Sequence, residues 1–99
     1  MSAAKKILLA DDDKEDRAIF EEMLEDLGSA GLTHYAIDGE DALAFLRTCA
    51  TFPSLIILDL NMPRLNGKET LHAIRKDARF ASIPVYIYST SLNPIERDE

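Results

Sequence analysis

Positive charge is scarce in this sequence: 11 Lys and Arg stand against 18 Asp and Glu in 99 residues, for a formal net charge of -7. Neutralising phosphates takes a basic face, so the charge excludes direct nucleic-acid binding and an anionic membrane surface as partner. Long apolar runs are also lacking. None approaches the roughly 20 residues of a membrane helix. Cys49 is the single cysteine and has no internal partner for a disulfide. The N-terminus MSAAKKILLADDD has only the short apolar stretch ILLA before three aspartates, which is no signal peptide. These absences predict the reducing cytoplasm. His34 and His72 have no second His or Cys at ligand spacing, so no zinc-type site is expected. Cys49, beside Ala42, Leu43 and Leu46, reads as a small helix-face residue rather than a nucleophile. A chain this short buries only about 60–65% of its unfolded surface, enough for a single core and one domain over residues 1–99.

What is present is an alternation of short apolar runs with helical periods. Lys6–Ala10 (KILLA), Leu55–Leu58 (LIIL, ending at Asp59) and Val85–Tyr88 (VYIY) suit strands covered on both faces, and His34–Ile37 (HYAI) is a weaker fourth. Asp13 can cap a helix with Glu15 and Asp16 in its first turn, an apolar stripe of Ile19, Phe20, Met23, Leu24 and Leu27, and a stop at Gly28. Asp38-Gly39 precedes a second helix from Glu40 to about Cys49 that buries Ala42, Leu43 and Leu46, and Gly67 precedes a third that carries Leu71 and Ile74. The alternation predicts βαβ units with right-handed crossovers and helices on both faces of a doubly wound parallel sheet. Strand spacing of about 26 residues per unit would put a further strand near position 111. Asn93-Pro94-Ile95-Glu96 reads as a helix start. The expectation is therefore a sequence interrupted inside its fourth crossover.

In an open parallel sheet, ligands sit beyond the carboxyl ends of the strands. The first strand ends in Asp11-Asp12 and the third in Asp59. If those strands are neighbours, as in the flavodoxin-like order 2-1-3-4, three carboxylates converge and repel. A hard divalent cation with oxygen ligands resolves that repulsion, and carboxylates plus water suit Mg²⁺. Asp59 could then act as a nucleophile toward phosphorus, with a hydroxyl from Ser89-Thr90-Ser91 near the same rim. Competing explanations differ in strength. Asp13 is better read as a helix cap than as a ligand. The Asp11, Asp13, Glu15, Glu22 spacing brushes the calcium-loop pattern, but Asp16 stands where that loop needs Gly. A haloacid-dehalogenase-type phosphatase would want an Asp two residues after the nucleophile, where this chain has Asn61. Residues 11–26 hold nine acids and two bases and so carry the whole net charge. Glu21, Glu22, Glu25 and Asp26 in that span read as a solvated helix face.

These motifs resemble the receiver domains of bacterial two-component response regulators, the CheY-like family. ILLADDD resembles its first strand with the acidic pair, LIILDLNMPRLNG its phosphoacceptor strand and loop, and PVYIYSTS its fourth strand with the hydroxyl residue. Relative to Asp59, the resemblance matches Asn61 at +2, Met62-Pro63 at +3 and +4, Gly67 at +8 and Ser89 at +30. It implies that Asp59 is the phosphorylation site and Ser89 the switch hydroxyl. It also implies that Mg²⁺ is held by Asp59, by Asp12 directly, by Asp11 through water and by the backbone carbonyl of Asn61.

The implied phosphoryl donor is a phosphohistidine on a sensor histidine kinase or a histidine phosphotransfer protein. The chain would be a signalling switch and not a turnover enzyme. The family also carries a lysine at the end of a fifth strand followed by a fifth helix, and no residue here matches that lysine. The alternative is a receiver-derived folding or interaction module, not phosphorylated, that forms a homodimer through an exposed strand at 85–89.

Overall fold

Four short runs of aliphatic and β-branched residues lie side by side in one parallel sheet, with three helices in the crossovers between them. A computed structural model describes residues 6–26 and 33–89 of the chain. In chain order the elements are β1 (Ile7–Ala10), α1 (Lys14–Asp26), β2 (Thr33–Ala36), α2 (Gly39–Thr48), β3 (Leu55–Asp59), α3 (Gly67–Lys76) and β4 (Val85–Tyr88). The strand order is β2-β1-β3-β4, the flavodoxin-like order expected from the sequence. Expectations for Leu27, Gly28 and the segment from Thr90 to Glu96 lie outside the described residues.

The register brings Ala10 beside Ala36 on one side and Leu58 on the other, and Asp59 beside Tyr88. Asp11 N–H extends the ladder to Ala36 O at 3.0 Å, and Leu60 N–H extends it to Tyr88 O at 2.7 Å. The strands therefore stop together at one rim. All four residues of β1 are buried, as a run covered on both faces requires. The main core lies on one face of the sheet, where Leu8, Ala10, Ile56 and Leu58 meet Ala42 and Leu46 of α2, Ile74 of α3, and Phe80. Fully burying a Leu or Phe side chain is worth about 1.5–3 kcal/mol, so this layer supplies most of the grip on the sheet.

Three features depart from the sequence reading. In α1 Leu24 is buried, but Ile19 and Met23 are 56% and 52% exposed. Each lies one residue before a sheet-facing position, Phe20 or Leu24, and so about 100° round the helix from it. The stripe is narrower than apolarity alone suggested. β2 begins one residue earlier than expected and leaves Ile37 exposed beyond its end. β4 is only partly covered on its faces, with Tyr86 66% exposed, although its place beside β3 alone among the described residues is the one the 2-1-3-4 order gives.

Helix starts are well marked chemically. Asp13 Oδ1 accepts from Glu15 N–H at 2.8 Å, the capping role assigned to it. Asp38 Oδ1 accepts from Asp41 N–H at 2.8 Å, and Gly39 is the first residue of α2 rather than the one before it. Cys49 ends that helix as its C-cap, donating its backbone N–H to Phe45 O. Asn66 and Glu69 close a reciprocal capping box on α3, which makes Gly67 the first residue inside the helix. Gly67 N–H reaches Leu60 O at 3.0 Å, so the helix start is pressed onto the end of β3. A Cβ at this position would stand 2.7 Å from Asp59 O and 2.9 Å from Leu60 Cα. Both obstacles are backbone. Gly67→Ala is therefore expected to destabilise the chain by about 1–3 kcal/mol, read as a lower urea midpoint with an unchanged slope.

Candidate phosphoacceptor and metal site

The rim where β1 and β3 end gathers the acidic residues. Each of Asp11, Asp12 and Asp59 offers a carboxylate oxygen, and these oxygens lie within 4.8 Å of one another. Asp11 and Asp59 are buried, at 0% and 1% exposure, while Asp12 faces solvent. The arrangement follows from strand order. Because β1 and β3 are hydrogen-bonded neighbours, the residues just past Ala10 and Leu58 must meet.

Neutral donors hold this cluster. Asp11 Oδ1 accepts from Asp13 N–H at 2.8 Å, and its Oδ2 accepts from the Tyr88 hydroxyl. Asp59 Oδ1 accepts from Asn61 N–H at 3.2 Å. Among the described residues the ion pairs join Arg64 to Asp38 and Glu40, and Arg79 to Asp77, all away from the cluster. Arg17, five residues after Asp12, donates to the backbone carbonyl of Asp11 rather than to a carboxylate. Burial pushes the Asp59 carboxyl up to about 7, the Asn61 N–H opposes that shift, and the charges of Asp11 and Asp12 add to it. The donor set is all oxygen and anionic, and its charges are uncompensated. That fits a hard divalent cation.

The other site residues fall on the same rim. Ser89 follows β4 directly, and its Oγ accepts from Asn61 Nδ2 at 3.3 Å, so the loop after Asp59 and the end of β4 are joined by one side-chain contact. Sequence reasoning brought Asp11, Asp12, Asp59, Asn61 and Ser89 together, and the structure places all five there. It missed Tyr88, which it read only as a strand former. The available signal was a hydroxyl-bearing aromatic at the carboxyl end of a strand, immediately before the hydroxyl residue already singled out.

The loop between the acidic strand and α3 is pinned separately. Arg64 has φ 65°, in the left-handed region, and its Nε and Nη2 donate to Asp38 Oδ2 at 3.1 and 2.9 Å. Burial pushes the Asp38 carboxyl up, but the Asp41 N–H and Arg64 outweigh it and hold the group below its ordinary value. Asp38 thus ties the loop after Asp59 to the start of α2.

The raised Asp59 carboxyl sets a pH dependence. Between about pH 4 and about pH 7 an unfolded Asp is ionised while the folded one keeps its proton. The folded state binds the extra proton, so stability falls as pH rises through that window and levels off above it. In metal-free buffer Asp59→Asn is expected to flatten this slope and to raise stability at pH 8 by on the order of 2 kcal/mol. Chemical denaturation from pH 4 to 8 checks both.

Comparison with known proteins places this geometry in a family. The family model for the response regulator receiver domain matches residues 7–97. Protein PilG of Pseudomonas aeruginosa is 39% identical over 85 residues, covering 86% of this chain and 60% of that protein. Response regulator Rcp1 of Synechocystis is 36% identical over 97 residues, covering 90% of this chain and 64% of that protein. The chain thus spans about three fifths of the length of these two curated relatives. Among solved structures, the phosphorylated cyanobacterial phytochrome response regulator RcpA superposes with TM-score 0.84 at 37% identity, covering 97% of this chain and 72% of that one. Fold, rim and matched sequence agree: the chain belongs to the response regulator receiver domain family of two-component signalling.

Proposed function

We propose that Asp59 accepts a phosphoryl group from a phosphohistidine, carried by a sensor histidine kinase or a histidine phosphotransfer protein, and that the chain works as a signalling switch. The observation that carries this reading is the burial of Asp59 at the carboxyl end of a central strand, with carboxylate oxygens of Asp11 and Asp12 within 4.8 Å of its own. In the transfer, the donor's phosphorus–nitrogen bond breaks as a bond forms from phosphorus to an Asp59 oxygen. The electron pair stays on the imidazole nitrogen, which takes a proton from water. Asp59 ends the step as an acyl phosphate and is not regenerated by it, so the chain is a phosphoacceptor and not a turnover enzyme.

Asp11, Asp12, Asp59 and the backbone carbonyl of Asn61 would hold Mg²⁺. When bound, the ion supplies screening between the attacking carboxylate and the phosphoryl oxygens. Asn61 N–H orients the Asp59 carboxylate. Ser89, now held by the Asn61 amide, can turn its hydroxyl toward a phosphoryl oxygen and so register the modification at the end of β4.

Incubation with acetyl phosphate and Mg²⁺, followed by intact-mass measurement, tests the reading. A single phosphoryl adduct is expected, absent in Asp59→Asn and in wild type treated with chelator. No adduct on a folded, Mg²⁺-bound protein would rule the acceptor role out.

The outer edge of β4, unpaired among the described residues, supports a second reading of partner choice, a homodimer paired through β4 and Ser89. Tyr86 projects from that strand at 66% exposure, an apolar group on a strand edge that pairs with β3 alone among the described residues. Sedimentation velocity is expected to show concentration-dependent association that Tyr86→Lys abolishes; a monomer at all concentrations would count against it.

A further inference from the structure

We propose that Tyr88 is a positioning residue for the cation site: its hydroxyl, donated to Asp11 Oδ2, sets the orientation of the Asp11 carboxylate and thereby the Mg²⁺ affinity of the rim. The inference rests on the reading of Asp11, Asp12 and Asp59 as cation ligands and adds a residue to it.

Three contacts fix the tyrosine. Its backbone is locked in the ladder, paired with Asp59 and accepting Leu60 N–H at 2.7 Å. Its ring lies against Phe20 of α1, with centroids 4.8 Å apart and planes tilted by 47°. Its hydroxyl meets Asp11 Oδ2. β4 and β1 are separated by β3, a distance of about 10 Å across two strand spacings, so only a long side chain can bridge them. A Ser or Thr at this position would fall short.

The two donors on Asp11 are both uncharged. Asp13 N–H takes one lone pair of Oδ1 and Tyr88 O–H one of Oδ2, which leaves one on each oxygen for a cation or its water. A cationic donor in the same place would cancel the charge that attracts the ion, whereas a hydroxyl aims the carboxylate without spending that charge. Hydrogen-bonded supports of this kind typically govern metal affinity 10- to 100-fold. Asp12, exposed at the same rim, is free to adapt to the ion. Asp11 is the pre-set ligand.

Calorimetric titration of wild type, Tyr88→Phe and Tyr86→Phe with MgCl₂ tests the assignment. Tyr88→Phe keeps the ring against Phe20 and is expected to bind Mg²⁺ roughly 10-fold or more weakly, while Tyr86→Phe binds as wild type. The Mg²⁺ concentration giving half-maximal acetyl phosphate labelling should rise by the same factor in Tyr88→Phe, with the rate at saturating Mg²⁺ unchanged. A merely structural tyrosine would not confine its effect to the Mg²⁺ dependence. Unchanged or tighter binding in Tyr88→Phe overturns the assignment and leaves the acidic site standing; failure of wild type to bind Mg²⁺ overturns the site as well. Ring-labelled wild-type protein gives a check without a variant. Its Tyr88 ring resonances are expected to move with Mg²⁺ occupancy and those of Tyr86 to stay, and an unmoved Tyr88 signal overturns the proposal.

Discussion

Like charges held together in a buried place are the constraint on which the rest of this structure turns. Two of the three carboxylates, Asp11 and Asp59, are shut away from water, and no ion pair among the described residues reaches them. Left free, such groups would separate, take up protons or draw in a cation. The fold blocks separation by anchoring each to a strand end: Asp11 N–H continues the β1 ladder to Ala36, and Asp59 is itself the last residue of β3. Proton uptake is what the raised Asp59 carboxyl records. Cation binding is the remaining outlet, and it is the one that leaves Asp59 ionised near neutral pH.

Holding carboxylates in this way demands stiffness from the loops, and the stiffness is visible in their chemistry. The loop after Asp59 carries a left-handed Arg64, a conformation that costs on the order of 1 kcal/mol for a residue other than Gly. The doubly donated bond to the buried carboxylate of Asp38 offsets it. The same Asp38 caps α2, so the helix start and the loop after Asp59 share one anchor. On the other side of the loop, the Asn66–Glu69 capping box and the close approach of Gly67 fix where α3 begins. An element that looks like ordinary helix capping thus also holds the rim.

How much of this was legible in the residues depended on whether a feature was local. β1 and β3 were plain because strands covered on both faces are apolar throughout, and the three acids at their ends stood out against them. Asp13 as a cap was readable for a similar reason, since its partner Glu15 N–H is two residues away, whereas Asn61 was singled out only by the family resemblance and its N–H bond to Asp59 was not foreseen. The burial of α1 was not legible. Ile19 and Met23 share the apolarity of Phe20 and Leu24, and only the rotation of the helix against the sheet separates exposed from covered positions. Tyr88 was less legible still, because its partner is 77 residues away and is reached only across the strand between.

That long reach also explains why one short strand end can serve two purposes. Tyr88 and Ser89, adjacent in the chain, reach the rim through different partners. Tyr88 passes on the α1 side, against Phe20, to Asp11, while Ser89 meets Asn61 in the loop after Asp59. One contact touches the acid pair of β1 and the other touches the loop of β3. Any displacement of the end of β4 therefore moves the Asp11 contact and the Asn61 contact together. Asp11 and the loop after Asp59 are thus linked through the one peptide bond between Tyr88 and Ser89.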